Sequence, residues 1–241
     1  MNESSSNPGG IQLDRIVFFG RTLSEYLKFF DLDLSQWQGT KILDCPSGAA
    51  SFVAEATKLG IHAVACDLLF NLDEKVLIDK GKADYDHVIE RLAGIQYLYN
   101  WEYYGGLEGF KHFRKRAFDR FAQDYPQGRQ EGRYIKAQLP KLPFADKSFD
   151  LVLSGHFLFL YNNYFNYKFH LNSILELYRV SSKEVRIYPI QGMDAKPYPL
   201  IEDLIRDLSN SGICAEIVKV PWEFQKKSNQ MLRLTTTTSK K

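Results

Sequence analysis

The chain has 241 residues, 44% hydrophobic and 14% aromatic, enough to bury the core of one domain. Its 31 basic and 29 acidic residues leave a net charge of +2, too small a surplus to imply an obligate polyanion partner. No run approaches 18 apolar residues, and the polar start MNESSSNPGG lacks the apolar core of a signal peptide, so the expectation is a cytoplasmic protein with no membrane partner.

Taken in chain order, residues 1–10 read as a disordered tail. Thr22 and Glu25 fit the S/T-x-x-E capping box, and Leu23, Leu27 and Phe30 follow at helical spacing, so a helix starts just after Arg21. "KILDC" predicts a strand, "AASFVAEATKLG" a helix ending at Gly60, and "HAVACD" a second strand in a parallel crossover. Residues 71–133 interrupt the alternation. Two helices are expected there, "DHVIERLAGIQYLYNWEYY" and "GLEGFKHFRKRAFDRFAQDY", with Phe110, Phe113, Ala117 and Phe121 on one face of the second. The segment reads as an insertion over the end of the sheet. It holds eleven acidic and eleven basic residues, so the basic run within 111–120 reads as a solvated face, and nucleic acid is not expected.

After the strand-like "RYIKAQLP" come strands "FDLVLSG" and "EVRIYPI", separated by a helix whose predicted inner face is Leu171, Ile174, Leu175 and Tyr178. A helix around "LIEDLIRDLSNSG" precedes "AEIVKV" and "QMLRL", read as a C-terminal antiparallel hairpin. Residues 235–241 read as a polar tail. The fold class is therefore α/β over residues 11–234, a mostly parallel sheet with helices on both faces. Cys45, Cys66 and Cys214 read as buried small hydrophobes, and the five histidines show no metal-ligand spacing.

In open α/β sheets ligands bind beyond the carboxyl ends of the strands. Asp44 and Asp67 close the first two strands, 23 residues apart, about the length of a strand–turn–helix unit. An acid after the second strand suits ribose hydroxyls, and a tight turn after the first lets backbone approach a ligand. A dinucleotide needs glycines around its pyrophosphate, and here Gly48 stands with Pro46 and Ala50 where others would be. That disfavours a nicotinamide-dependent oxidoreductase.

"LPFADKSFDLVLSGHFLFLY", Leu142 to Tyr161, resembles the L-P-F-x-x-x-S-F-D-x-V segment of class I S-adenosylmethionine-dependent methyltransferases, and "ILDCPSGAAS" resembles their first motif. The resemblance implies a Rossmann-like methyltransferase fold, S-adenosylmethionine as cofactor and methyl transfer to a small-molecule acceptor. On this sequence it implies that Asp44, Pro46 and Gly48 border the methionine moiety and Asp67 takes the ribose hydroxyls. Leu68, Gln138 and Leu139 would sit around the adenine, with Gln138 where the family often has an acid. Backbone carbonyls of Ser154 and Gly155 would meet the amino group, and Arg21 the carboxylate. His156, Trp101 and Tyr104 are candidate acceptor contacts; no catalytic residue is assigned. The alternative is a non-catalytic binder of S-adenosylmethionine or S-adenosylhomocysteine.

Overall fold

Short runs of three to eight residues with apolar positions facing inward become the strands of this chain, and the computed structural model, which describes residues 10–235, shows where each goes. The elements are α1 (Leu23–Phe29), β1 (Lys41–Asp44), α2 (Phe52–Lys58), β2 (His62–Asp67), α3 (Glu74–Ala93), α4 (Leu107–Gln130), β3 (Tyr134–Lys136), β4 (Phe149–Gly155), α5 (Tyr167–Val180), β5 (Ser181–Tyr188), α6 (Ile201–Asn210), β6 (Cys214–Lys219) and β7 (Gln230–Thr235). They form one seven-stranded sheet in the order β3-β2-β1-β4-β5-β7-β6. The first five strands are parallel, and β7 runs antiparallel to both β5 and β6. This is the expected Rossmann-like α/β architecture, mostly parallel with a C-terminal antiparallel hairpin.

The two sheet faces bury separate cores. Ile42, Ala63, Ala65, Leu151 and Leu153 face α1, α2 and the inserted helices. Leu43, Val64, Val152, Val185 and Leu232 face α5 and α6. Strand order reverses between β1 and β4, so a crevice opens there at the carboxyl ends.

Several boundaries differ from the sequence expectation. The first inserted helix begins at Glu74, capped by the Asp73 side chain accepting from the Lys75 N–H (2.9 Å), and stops at Ala93 instead of running over Tyr97–Tyr104. The buried stripe of α5 is His170, Ser173, Ile174, Leu177 and Val180, rotated from the predicted face because His170 turns inward and its Nε2 lies 3.0 Å from the Leu158 carbonyl oxygen. Cys214 is exposed on edge strand β6. The expected tails over residues 1–9 and 236–241 lie outside the described residues. Gly10 is buried, with no room for a β-carbon beside the Met193 carbonyl, and Thr235 belongs to β7, so neither is part of a tail.

Candidate functional site

At the β1–β4 crevice lies a cavity of about 380 Å³, within the range of small-molecule sites. Its floor is the turn after β1 (Cys45, Pro46, Ser47, Gly48), the end of β2 (Asp67, Leu68, Leu69), the segment after β3 (Ala137, Gln138, Leu139) and the end of β4 (Gly155, His156). Residues 11–19 run across it as a strap. The strap is pinned to α3 through Asp84, which accepts from the Phe18 N–H (2.7 Å) and Arg15 Nε (3.0 Å), and to the β4–α5 connection by Tyr164 Oη donating to the Leu13 carbonyl (3.0 Å).

The turn after β1 is closed on itself. The N–H of Ser47 donates to the Cys66 carbonyl (3.0 Å), that of Gly48 to Asp67 Oδ2 (3.0 Å), that of Ala50 to the Ser47 carbonyl (3.3 Å) and that of Ser51 to the Arg21 carbonyl (3.1 Å). Gly48 has φ +55°, and a β-carbon there would stand 2.6 Å from the Phe19 carbonyl oxygen, so this glycine is required by the close-packed strap. A pyrophosphate needs free amides at this turn, and these four are taken. A phosphate-free adenosyl ligand needs none of them.

Asp67 lies on the cavity wall. Its Oδ1 accepts from the Leu69 N–H (2.9 Å) and its Oδ2 from Gly48, leaving further lone pairs for hydroxyl donors. Burial pushes its pKa up, against the pull of those two amides. At the other end Arg21 reaches the wall. Its guanidinium lies 5.8 Å from the Phe19 ring centre and has no carboxylate partner among the described residues. The one acid beside it, Glu25, is paired with Arg114, accepts from the Tyr104 hydroxyl, and accepts from the Thr22 N–H at 2.8 Å. Burial and the like charge of Arg114 push the Arg21 pKa down.

The structure brings Arg21, Pro46, Gly48, Asp67, Leu68, Gln138, Leu139, Gly155 and His156 to one cavity. Four candidates are not on its wall. Asp44 is buried behind Tyr26, whose hydroxyl donates to its Oδ2 (2.8 Å), and its Oδ1 has no partner; burial lifts its pKa to about 8. The Ser154 side chain is fully buried and its hydroxyl unpartnered. Trp101 donates from Nε1 to the Gln96 carbonyl (2.7 Å) and packs on Phe110 and Phe224. Tyr104 is held in the Glu25–Arg114 cluster. In their place the insertion contributes Val88, Leu92, Tyr99 and Phe110. Sequence reasoning also missed Tyr26, Tyr188, Phe224 and the strap. They lie on a helix face, a strand end and loops, and carry no motif.

His156 has φ +54°, and its N–H donates to the Tyr188 carbonyl (2.6 Å). Its ring meets Phe29 and Tyr188 edge-on, at 4.9 and 5.1 Å between centres. Burial, with the charges of Arg21 and Arg114, pushes its pKa well below the ordinary histidine value, so the ring is neutral.

Among the described residues no cluster of three metal-ligating side chains occurs, and no helix is long and apolar enough to cross a membrane. No family model matches the chain. It is 34% identical over 223 residues, 92% of its own length and 97% of the relative's, to the uncharacterized protein MJ0045 of Methanocaldococcus jannaschii. Among solved structures it is similar to the PH0226 protein of Pyrococcus horikoshii (14% identity, 88% of this chain and 90% of that one, TM-score 0.48). It is also similar to magnesium protoporphyrin IX methyltransferase from Synechocystis with bound S-adenosylmethionine (11%, 89% and 78%, TM-score 0.46).

Proposed function

The chain belongs to the family of the Methanocaldococcus jannaschii protein MJ0045, and from its site we propose that it is an S-adenosylmethionine-dependent methyltransferase acting on a small molecule. The observation that carries this reading is the pairing, across one cavity, of a carboxylate and an unneutralised guanidinium: Asp67 at the end of β2 and Arg21 before α1. An adenosyl-amino-acid cofactor presents ribose hydroxyls to the first and a carboxylate to the second. The turn between them has its amides occupied and suits a ligand without phosphates.

In this reading Asp67 accepts the ribose hydroxyls, with Leu68, Gln138 and Leu139 around the adenine. Pro46 and Gly48 border the amino-acid moiety, and the Gly155 carbonyl is the acceptor for its ammonium. Bound S-adenosylmethionine supplies an electrophilic methyl group on a sulfonium. The protein orients the acceptor behind that methyl and keeps water out, which supplies most of the catalysis in such a transfer. The strap and the apolar walls suit that work.

Calorimetric titration of ligand-stripped protein tests the reading. S-adenosylmethionine and S-adenosylhomocysteine are expected to bind in the micromolar range, and NAD(H) not at all. Asp67→Ala is expected to weaken adenosyl binding by about 1–3 kcal/mol; unchanged affinity would remove Asp67 from the site. Turnover against a panel of acceptors separates an enzyme from a non-catalytic binder on the same fold.

A further inference from the structure

Beyond His156 the cavity continues between the β4–α5 connection, the ends of β5 and the β6–β7 connection, under the strap. Its walls there are Phe157, Leu160, Phe165, Tyr188, Phe224 and the aliphatic strap residues. Only three charged side chains reach the cavity among the described residues, Arg21, Asp67 and Lys80. Lys80 is spent on Asp84 (2.8 Å), and Asp67 stands at the other end of the site, on β2. Resting on the cofactor reading above, Arg21 is spent once it faces the cofactor's carboxylate. Among the described residues lining the cavity no charge then remains to pair with a charged acceptor, and a charge left unpaired in such a place is strongly disfavoured.

Tyr99, Tyr161, Gln225 and Ser228 also line the cavity here. Tyr161 accepts from the Val17 N–H (3.3 Å), Gln225 donates to the Met193 carbonyl (3.2 Å) and Ser228 to the Gln225 carbonyl (2.5 Å), and the His156 imidazole is the group at this end, among the described residues, that offers a basic nitrogen. The His156 imidazole has no hydrogen-bond partner among the described residues, and its position is set by Phe29, Tyr188 and its own backbone bond to the Tyr188 carbonyl. The titratable groups around it are Arg21, Arg114, Glu25 and Tyr188. Glu25 is paired with Arg114, and the Tyr188 hydroxyl donates to the Ser228 carbonyl (2.6 Å), so none of them competes for the imidazole lone pair.

We propose that the methyl acceptor is an uncharged, mainly apolar small molecule bearing a phenolic or enolic hydroxyl, and that His156 accepts that hydroxyl's proton. An aliphatic amine is a cation at neutral pH and a carboxylate an anion, and both are refused on charge. A phenol-like hydroxyl enters neutral and needs a base to become a strong nucleophile. The O–H proton passes to an imidazole nitrogen, and the oxygen lone pair forms the bond to the methyl carbon. The electron pair of the breaking carbon–sulfur bond stays on sulfur, and the imidazolium later releases its proton to solvent.

The test uses wild-type protein saturated with S-adenosylhomocysteine, so that Arg21 is already engaged, and three probes: 2-naphthol, 2-naphthoate and naphthalene-2-methylamine. Calorimetry is expected to show 2-naphthol binding at least about tenfold more tightly than either charged probe, and NMR is expected to show it shifting the His156 ring resonances. His156→Gln, with unchanged S-adenosylhomocysteine affinity, is expected to weaken 2-naphthol selectively. Equal or tighter binding of a charged probe, no binding by any of the three, or 2-naphthol binding that leaves His156 unmoved overturns the proposal. Failure of S-adenosylhomocysteine itself to bind instead overturns the cofactor reading, and this proposal with it.

Discussion

Asp44 and Asp67 are the same residue type at the ends of neighbouring strands, yet they do different work. Asp44 pairs in register with Ala65, so Asp67 stands two residues further along and overhangs the cavity, while Asp44 stays beneath Tyr26. Burial holds the Asp44 carboxyl at about 8, against roughly 4 in an unfolded chain. Between those values the folded protein keeps a proton that the unfolded chain has released. Stability from this group is therefore full below about pH 4, falls as pH rises toward 8 and levels off above it, with a slope of at most about 1.4 kcal/mol per pH unit. Asp44→Asn is expected to flatten the pH dependence of the urea midpoint between pH 5 and 8 relative to wild type; identical profiles would mean that Asp44 is ionised in the folded protein. The spacing of the two acids was legible in the sequence and placed both at strand ends. It could not show which one reaches the cavity, because that depends on inter-strand register and on an aromatic ring contributed by a preceding helix.

The elements of the sheet were legible because each strand is a short apolar run bounded by turn residues, and β2 and β4 have the bounds their patterns imply. The inserted helices were harder to read. In α4 the run Lys111, Arg114, Lys115, Arg116, Arg120 looks like a solvated face, and Lys115 does sit outside with Asp119 (2.6 Å). Arg114 instead points inward, donating to the Gly20 carbonyl (2.5 Å) and pairing with Glu25 of α1. Its partner is 89 residues away, beyond any local pattern. This buried pair fastens the insertion to the front of the sheet. Arg114→Ala leaves Glu25 buried without its partner and is expected to cost about 3–5 kcal/mol in urea unfolding. The double replacement Arg114→Met with Glu25→Leu is expected to recover most of that loss. If the single variant unfolds like wild type, the pair is not what fastens the two elements.

For the molecule as a whole, the cavity is assembled from strand ends, the strap, the insertion and the β6–β7 connection. A ligand touching all of these binds the folded state and has nothing comparable to hold in the unfolded one. S-adenosylhomocysteine at about 100 times its dissociation constant is therefore expected to stabilise the protein by about 2.7 kcal/mol, a rise of roughly 5–10 °C in Tm, whereas NAD is expected to leave it unchanged. A calorimetric or dye-monitored melt reads this directly. Equal shifts with both nucleotides would contradict the occupied amides of the turn after β1.

The place of β7 has a consequence for how such a chain is made. Among the described residues it is the last strand in chain order but an interior one in the sheet, wedged between β5 and β6. Until it leaves the ribosome, β5 and β6 have no strand to join them, and a growing chain carries two open edges. Closure of the sheet therefore waits for β7, and the β6–β7 connection that brings Phe224 and Gln225 to the cavity is set in place with it. The cavity is completed only when the sheet itself is, so a chain still lacking β7 has no finished chamber to offer a small molecule.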